Sequence, residues 1–103
     1  MKRDLVYLPE VSRDLAQAYN YYGTFSLRVG QRFERALNRA EQEVEDGLIT
    51  HRLVFDFYNR VILKRFPYIL YYRLEGTKAI IVGLLYSRLN PQQIEAALKS
   101  RNP

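Results

Sequence analysis

The spacing of apolar residues predicts two amphipathic helices in the first half of the chain. Apolar residues recur every three or four positions along the first helix, at Leu15, Ala18, Tyr19 and Tyr22. The second helix has a longer stripe, made of Val29, Phe33, Leu37, Ala40 and Val44. Ser12 is the predicted N-cap of the first helix and Gly23 its end. Thr24 or Ser26 caps the second, and Gly47 ends it. The short link between the helices predicts an antiparallel hairpin.

The remaining apolar segments are shorter and predict five strands, at 5–8, 52–57, 61–66, 68–74 and 79–86. Tyr58-Asn59 is the predicted turn between the second and third strands. Pro67 separates the third from the fourth, because proline cannot donate to a strand ladder. Residues 79–86 are apolar on both faces, which is typical of a central strand.

The end of the chain predicts a last helix. Asn90 is its expected cap, Pro91 fits its first turn, and Gln92 to Lys99 continue it. The order of elements is therefore β-α-α-β-β-β-β-α. We expect an α+β fold in a single domain spanning 1–103. Its one sheet is mostly antiparallel, the N-terminal helical hairpin packs on one face, and a short helix follows at the C-terminus.

Composition limits the chemistry that the chain can perform. Cysteine is absent and there is one histidine, so we expect no disulfide, no metal site and no cofactor. The N-terminus has no apolar run long enough for a signal peptide, and no segment has the roughly 20 apolar residues that span a bilayer. We therefore expect a cytoplasmic protein without a membrane partner.

Positive charge is concentrated in the second half of the chain. Residues 1–50 contain seven Lys/Arg and eight Asp/Glu, net −1, whereas residues 51–103 contain nine and three, net +6. This asymmetry indicates an anionic partner, and a solvated sheet face is the alternative. On the second helix, arginines alternate with glutamates and predict a solvated, ion-paired face, with Arg28, Arg32, Arg35 and Arg39 along one side. For His51, we expect a surface or capping role.

Several motifs resemble those of a known toxin family. The segment Lys64 to Arg73, KRFPYILYYR, is similar to a run of the form RFPY-x-x-YY. The helices contribute Asp14-Leu15 with Tyr21-Tyr22, and Gln31-Arg32-Phe33 with Ala36-Leu37. The segment Tyr86 to Pro91 resembles an H-x-x-R-D-P ending. Over nearly its whole length, the chain resembles the RelE/ParE superfamily, the toxin halves of bacterial type II toxin–antitoxin systems.

The resemblance implies a growth-inhibiting toxin, and the ParE-like branch, found in plasmid-stabilisation systems, is favoured. Members of this branch poison DNA gyrase and are not known to use a catalytic set. Tyr86 stands where many relatives have His, and this difference favours the ParE-like branch. Leu89 stands where many relatives have Arg, and Asn90 replaces the usual Asp. The departures at 86 and 89 fall where the ribonuclease members keep working side chains. The long helical hairpin also favours this branch. The basic half would then be a docking face.

A cognate antitoxin is the second implied partner. Antitoxins of the family lay a helix and an extended segment across the toxin and fold on binding. The expected receiving surface is the outer groove of the helical hairpin together with the open edge of the sheet. An acidic antitoxin would suit the +6 half.

The alternative is a RelE-like endoribonuclease that cuts mRNA on the ribosome without a metal. Such a reaction needs a base, an acid and positive charge around the phosphate. By resemblance, Lys64 would be the base, and Arg65, Arg73 and Arg88 would hold the phosphate. Tyr86 would stack a base or act as the acid. A third alternative is an inactive toxin fold that only binds its antitoxin.

Strand alternation leaves the position of two of these residues open. Side chains of a strand alternate between faces, so Lys64 and Arg65 would point in opposite directions. Either Lys64 lies with Ile62 and Phe66 against the helices, or Arg65 does so with Val61 and Leu63. Both assignments agree with the sequence.

Overall fold

The computed structural model describes residues 2–101. In this part of the chain the strands are β1 (Asp4–Tyr7), β2 (Leu53–Val54), β3 (Tyr58–Ile62), β4 (Tyr68–Glu75) and β5 (Lys78–Tyr86). The helices are α1 (Glu10–Gly23), α2 (Leu27–Asp46) and α3 (Pro91–Ser100). Within the described residues, no helix has the length and apolar character needed to cross a membrane.

The strands form one mixed sheet in the order β1-β5-β4-β3-β2. β1 runs parallel to β5, with Tyr7 opposite Ile81, and the other neighbouring strands are antiparallel. The short connections from β2 to β5 place consecutive strands side by side, because a tight turn can only reverse the chain. The predicted α+β class is confirmed, including the mostly antiparallel sheet, the N-terminal helical hairpin and the short C-terminal helix.

The helical hairpin covers one face of the sheet. α2 begins after Ser26, whose hydroxyl accepts a hydrogen bond of 3.1 Å from the N–H of Val29. It ends at Gly47, which has a left-handed backbone. The predicted apolar stripe of α2 is buried at Phe33, Leu37, Ala40 and Val44. On the sheet side, this core contains Leu63 just after β3 and the strand residues Val61, Leu70, Tyr72, Ala79, Ile81 and Leu84.

α3 covers part of the opposite face. The Asn90 side chain accepts from the N–H of Gln92 at 2.8 Å, and the Gln93 side chain accepts from the N–H of Asn90 at 3.3 Å. The apolar stripe of the helix, Ile94 and Leu98, is buried against the sheet. This second core takes Tyr58, Ile69, Tyr71, Val82 and Leu85 from the strands. The cap at Asn90 and the helix that follows it match the prediction from the sequence.

The first helix begins earlier than predicted. Glu10 is its first residue, and Pro9 occupies the capping position with φ −55° and ψ −37°. Proline has the backbone angle of a helix and needs no hydrogen-bond partner for its nitrogen, so it suits this position. Ser12 was the expected cap, but it lies inside the first turn, where its N–H donates to the carbonyl of Pro9 at 3.2 Å.

The predicted second strand, 52–57, was mostly wrong. Only Leu53–Val54 pair with β3, and the expected turn residues Tyr58 and Asn59 belong to β3 itself. The chain reverses three residues earlier, at 55–57, where Phe55 and Asp56 have φ values of 53° and 62°. A bulky residue such as Phe55 seldom adopts this conformation, so the apolar and aromatic composition suggested a strand instead.

The predicted third strand, 61–66, is displaced toward the N-terminus. β3 ends at Ile62, and residues 63–67 form a tight connection to β4. Val61 and Leu63 face the helical hairpin, while Ile62 is exposed. After Leu63 the strand alternation stops, because Arg65 has a φ of 70°. Neither of the two open assignments for Lys64 and Arg65 therefore applies.

Candidate functional site

An open groove with a volume of about 800 Å³ lies between α2 and the 63–67 connection. We call it the basic groove. Its cationic lining residues are Arg32, Arg35, Arg39, Lys64 and Arg65. Its other lining residues are Val29, Ala36, Phe66 and Asn38. The groove thus combines an apolar strip with five positive side chains.

Two local features bring these cations together. On α2, residues 32, 35 and 39 are spaced by three and four positions, which places their side chains on one side of the helix. In the 63–67 connection, the left-handed backbone of Arg65 breaks the alternation of the preceding strand. As a result, Lys64 and Arg65 both line the groove, although they are adjacent in sequence.

The charge of the basic groove is not neutralised within the described residues. None of its lining residues is acidic. None of its five cations takes part in an ion pair with another residue of 2–101. The four arginines of α2 are exposed, as the predicted solvated face requires, but none of them forms an ion pair with another of the described residues. Unpaired charges of one sign beside a low-dielectric surface raise the local electrostatic potential and attract anionic groups.

A second depression, of about 490 Å³, adjoins the other side of the connection to β4. We call it the aromatic cleft. Its lining residues are Tyr21, Tyr22, Phe25, Pro67, Tyr68, Tyr86 and Arg88. Tyr86 and Arg88 come from the end of β5 and the residues after it, and the first three come from the end of α1 and the loop that follows. Two of the predicted site residues thus share the aromatic cleft.

Packed rings separate the basic groove from the aromatic cleft. Tyr22 stacks on Phe33 with ring centres 4.9 Å apart, and it meets the edge of Phe66 at 4.9 Å and of Tyr68 at 5.9 Å. Phe33 also contacts Phe66 edge-on at 5.2 Å. Such offset and edge-on pairs are the favoured geometries of aromatic rings. They tie α1, α2 and the 63–67 connection together, and so fix the shape of both depressions.

Two tyrosines of the aromatic cleft, Tyr22 and Tyr68, stay protonated at neutral pH because their pKa values are raised. Burial raises the pKa of Tyr22, and the nearby hydroxyls of Tyr68, Tyr21 and Tyr86 raise it further, although Arg88 opposes them. Burial likewise raises the pKa of Tyr68, with Tyr21 and Tyr86 adding to the effect. As neutral phenols, Tyr22 and Tyr68 can donate hydrogen bonds to an anion.

Arg73 lies apart from both depressions. It alternates along β4 with Ile69 and Tyr71, and so points to the face that α3 partly covers. Its guanidinium forms an ion pair with Glu75 at 2.9 Å. The five residues of the ribonuclease alternative therefore occupy three places: Lys64 and Arg65 line the basic groove, Tyr86 and Arg88 line the aromatic cleft, and Arg73 lies on the other face.

His51 has a structural role that the sequence did not reveal. Its Nδ1 lies 2.7 Å from the hydroxyl of Tyr72, and its Nε2 lies 3.0 Å from a carboxylate oxygen of Glu43. The side chain is only 7% exposed, so the expected surface position was wrong. The ring ties the end of α2 to β4. In residues 2–101, no group of three or more His, Cys, Asp or Glu side chains is arranged to hold a metal ion.

The comparisons with known proteins add no assignment to this site. No protein-family model matches the chain, and a search of curated proteins gave no match.

Proposed function

We propose that this chain is the growth-inhibiting toxin of a bacterial type II toxin–antitoxin pair. In this proposal it is ParE-like and acts by binding and poisoning DNA gyrase. The observation that carries the proposal is the basic groove, with five cations that have no ion-pair partner within residues 2–101 and no acidic lining residue. The sequence resemblance to the RelE/ParE superfamily names the class, and the groove supports a docking function within it.

The lining of the basic groove suits an acidic protein surface. Protein interfaces combine an apolar centre with a polar rim, and complementary charge speeds association and selects the partner. Here Val29, Ala36 and Phe66 provide apolar contact area among arginine and lysine side chains. Arginine is favoured at such interfaces because its planar group binds carboxylates with two hydrogen bonds.

The positions of the catalytic candidates support docking over cleavage. An RNA phosphate held in the basic groove would meet Lys64 and Arg65. Arg73 is paired with Glu75 on the opposite face, and Arg88 lies in the aromatic cleft. Cleavage needs an acid, a base and charge-stabilising groups within hydrogen-bond reach of one scissile phosphate. The separation of these candidates therefore favours docking.

The same groove supports an antitoxin as the second partner. A segment that combines acidic and apolar residues would neutralise the five cations and cover the apolar strip. If it occupied the groove, it would exclude gyrase by direct competition. In this proposal gyrase and the antitoxin therefore compete for the same surface.

Growth and gyrase assays test the proposal with matched variants. The wild-type chain should arrest bacterial growth when expressed alone, should inhibit supercoiling by purified gyrase, and should lose both effects when its antitoxin is co-expressed. The double variant Arg35→Gln/Arg39→Gln should lose both activities, because it removes two groove cations. Arg13→Gln/Arg28→Gln is the control, since it removes the same number of charges from exposed helical residues that do not line the groove.

Three outcomes would overturn parts of the proposal. Normal growth with folded wild-type protein would reject a toxin and favour an inactive binding module. Unimpaired supercoiling, together with ribosome-dependent mRNA cuts that disappear in Lys64→Ala, would favour the ribonuclease. Equal loss of activity in Arg13→Gln/Arg28→Gln and in the groove variant would show that net charge matters and the groove does not.

A further inference from the structure

The aromatic cleft presents hydrogen-bond donors that have no partner among the described residues. Four of its hydroxyls make no hydrogen bond to another residue of 2–101. They belong to Tyr21, Tyr22, Tyr68 and Tyr86. The rings of Tyr22 and Tyr68 pack in the core beneath the helical hairpin, yet their hydroxyls stay open to solvent. Arg88 adds a guanidinium without an ion-pair partner in this part of the chain. The cleft therefore offers four phenolic donors and one charged donor to a ligand.

Most acceptors of the aromatic cleft are, by contrast, already used. Five of its seven lining residues accept a hydrogen bond at their backbone carbonyl, namely Tyr21, Tyr22, Pro67, Tyr68 and Tyr86. The N–H of Ser87, for example, donates to the carbonyl of Pro67 at 2.8 Å. Among the described residues that line the cleft, none is acidic and none has a side-chain amide. Because a donor that loses water without gaining an acceptor is costly, a ligand that suits this cleft is rich in acceptors and poor in donors.

The rings of the cleft also leave apolar faces uncovered. At the rim, Tyr21 and Phe25 are 55% and 62% exposed, and Tyr86 is 37% exposed. Tyr21 meets Phe25 edge-on at 5.3 Å, and the rings of Tyr68 and Tyr86 are likewise edge-on, at 5.8 Å. Edge-on contacts leave ring faces open for packing against a further flat group. The ligand should therefore combine acceptors with flat apolar groups.

We propose that the aromatic cleft binds a proline-rich peptide segment in the polyproline II conformation, with its prolines packed between the rings and its carbonyls accepting from the tyrosine hydroxyls. An acidic residue beside the prolines would pair with Arg88 and set the direction of the segment. This surface is separate from the basic groove, and the proposal holds or fails whatever the target of the toxin is.

Three properties of proline suit the cleft better than other peptide sequences do. Proline has no N–H, so a proline-rich backbone brings carbonyl acceptors with few donors and matches the unpaired groups of the cleft. Its ring packs on aromatic faces, and aromatic-lined grooves are a general means of recognising such segments. The polyproline II helix has no internal hydrogen bonds and is largely formed before binding, so little conformational entropy is lost.

Single-stranded nucleic acid is the competing occupant, because bases also stack on aromatic rings. Proteins that bind such strands add a positively charged groove that follows the backbone. The described lining of the cleft contains one cation, Arg88, and a base brings donors of its own. The unpaired phenols and the single guanidinium therefore favour a proline-rich peptide.

Calorimetric titration of the intact chain with synthetic peptides tests this site. The probes are two peptides of consecutive prolines, one preceded and one followed by a glutamate. We expect one of them to bind saturably with a dissociation constant of about 1 mM or lower. A peptide with alanines in place of the prolines should bind at least about tenfold more weakly, because it adds backbone N–H groups and is not preorganised. Replacing the glutamate by glutamine should weaken binding about threefold.

Variants locate the binding. Tyr21→Phe and Tyr86→Phe should each weaken binding of the preferred peptide about fivefold, because each removes a donor and keeps the ring. In Arg88→Gln, the glutamate and glutamine peptides should bind equally, a result that a merely structural change would not produce. The controls are Tyr19→Phe, which removes a hydroxyl outside the cleft, and Arg13→Gln, which removes an exposed charge elsewhere. Circular dichroism melting of each variant confirms that it is folded.

Each outcome decides the proposal. Binding of a proline peptide that weakens in Tyr21→Phe and Tyr86→Phe but not in the controls supports it. No saturable binding of either proline peptide would overturn it, and so would equal binding of the alanine peptide or equal weakening in the controls. A short single-stranded oligonucleotide that binds more tightly than the peptides, and loses affinity in the same variants, would identify nucleic acid as the occupant and reject the peptide.

Discussion

Asp14 on α1 and Arg101 after α3 form an ion pair at the edge of β5, although their helices lie on opposite faces of the sheet. The two nitrogens of Arg101 approach the carboxylate oxygens at 2.5 and 3.0 Å. β1 pairs with β5 only as far as Ile81, so the following residues have no strand on that side. There Asp14 accepts from the N–H of Leu84 at 3.0 Å, and Arg101 donates to the carbonyl of Val82 at 3.2 Å. The ion pair thus satisfies edge groups that a strand would otherwise pair.

Replacing either partner of this ion pair should destabilise the fold. Asp14→Ala should lower the free energy of unfolding by about 3 kcal/mol, because it leaves a largely buried guanidinium without a counter-charge and the N–H of Leu84 without an acceptor. Asp14→Asn should cost less, since its amide oxygen still accepts from Leu84. Urea unfolding measures both. In a double-mutant cycle with Arg101→Gln, the combined loss should be smaller than the sum, and simple additivity would contradict the pairing.

Gly83→Ala should also destabilise the fold, because it disturbs the ion pair between Asp14 on α1 and Arg101 after α3. A Cβ at this position would lie 3.0 Å from Nη1 of Arg101 and 3.3 Å from a methyl group of Leu98, so the ion pair would have to shift. We expect a loss of about 2 kcal/mol in urea unfolding. Gly23→Ala is the control, since its Cβ would meet nothing within 4 Å. A helix-terminal alanine should be neutral or slightly stabilising there, and an equal loss in both variants would refute the steric explanation.

The left-handed backbone at Arg65 predicts an unusual order of substitutions. With φ at 70°, glycine should be more stable than alanine at this position by about 1 kcal/mol, because only glycine avoids the clash of Cβ with the backbone. At the exposed helical Arg13, the order should reverse by a similar amount, about 1 kcal/mol. Thermal or urea unfolding of the four variants measures this. Alanine equal to glycine at Arg65 would show that the connection adopts another conformation.

Buried tyrosines should make the protein sensitive to alkaline pH. Burial is the largest cause that raises the pKa of several phenols, among them Tyr19, Tyr71 and Tyr72. In the unfolded chain tyrosines lose their protons near about pH 10. Above that pH the unfolded state binds fewer protons than the folded state, so the free energy of unfolding falls as pH rises, whereas below it this contribution is constant.

Urea unfolding at neutral and alkaline pH, combined with absorbance titration of tyrosinate, measures the effect. Tyr71→Phe should reduce the dependence on pH, because it removes one buried phenol. A free energy of unfolding that stays level across the tyrosine titration would contradict the expectation.

Much of the fold follows from local patterns of the sequence. The stripe from Phe33 to Val44 identified α2 and its buried face, and Asn90-Pro91 identified the start of α3. These features are local, because a helix brings residues three or four positions apart to one side whatever lies around it. The errors fell where local preference was overridden. Phe55 lies in a turn and has a backbone conformation that is rare for a bulky residue, so the structure between 52 and 59 was predicted incorrectly.

The candidate sites were harder to predict from the sequence, because each depends on contacts between segments that are far apart in the chain. Lys64 and Arg65 were identified as candidates by resemblance, but nothing in their spacing placed them beside arginines 25 to 33 positions earlier. His51 was the sole histidine, and its burial between Glu43 and Tyr72 follows from the packing of α2 on the sheet. The ion pair of Asp14 with Arg101 joins residues 87 positions apart.

The sequence by itself determined the order of elements, the α+β class and the concentration of positive charge in the second half, because periodicity and composition are properties of the local chain. Only the tertiary structure decided which charges meet. In the folded protein the arginines of α2 lie opposite the 63–67 connection, and Tyr21 and Arg88 line one cleft. Arg73 lies on the other face of the sheet. Such groupings depend on how the helical hairpin packs on the sheet and on one left-handed residue, Arg65, whose conformation its residue type does not favour.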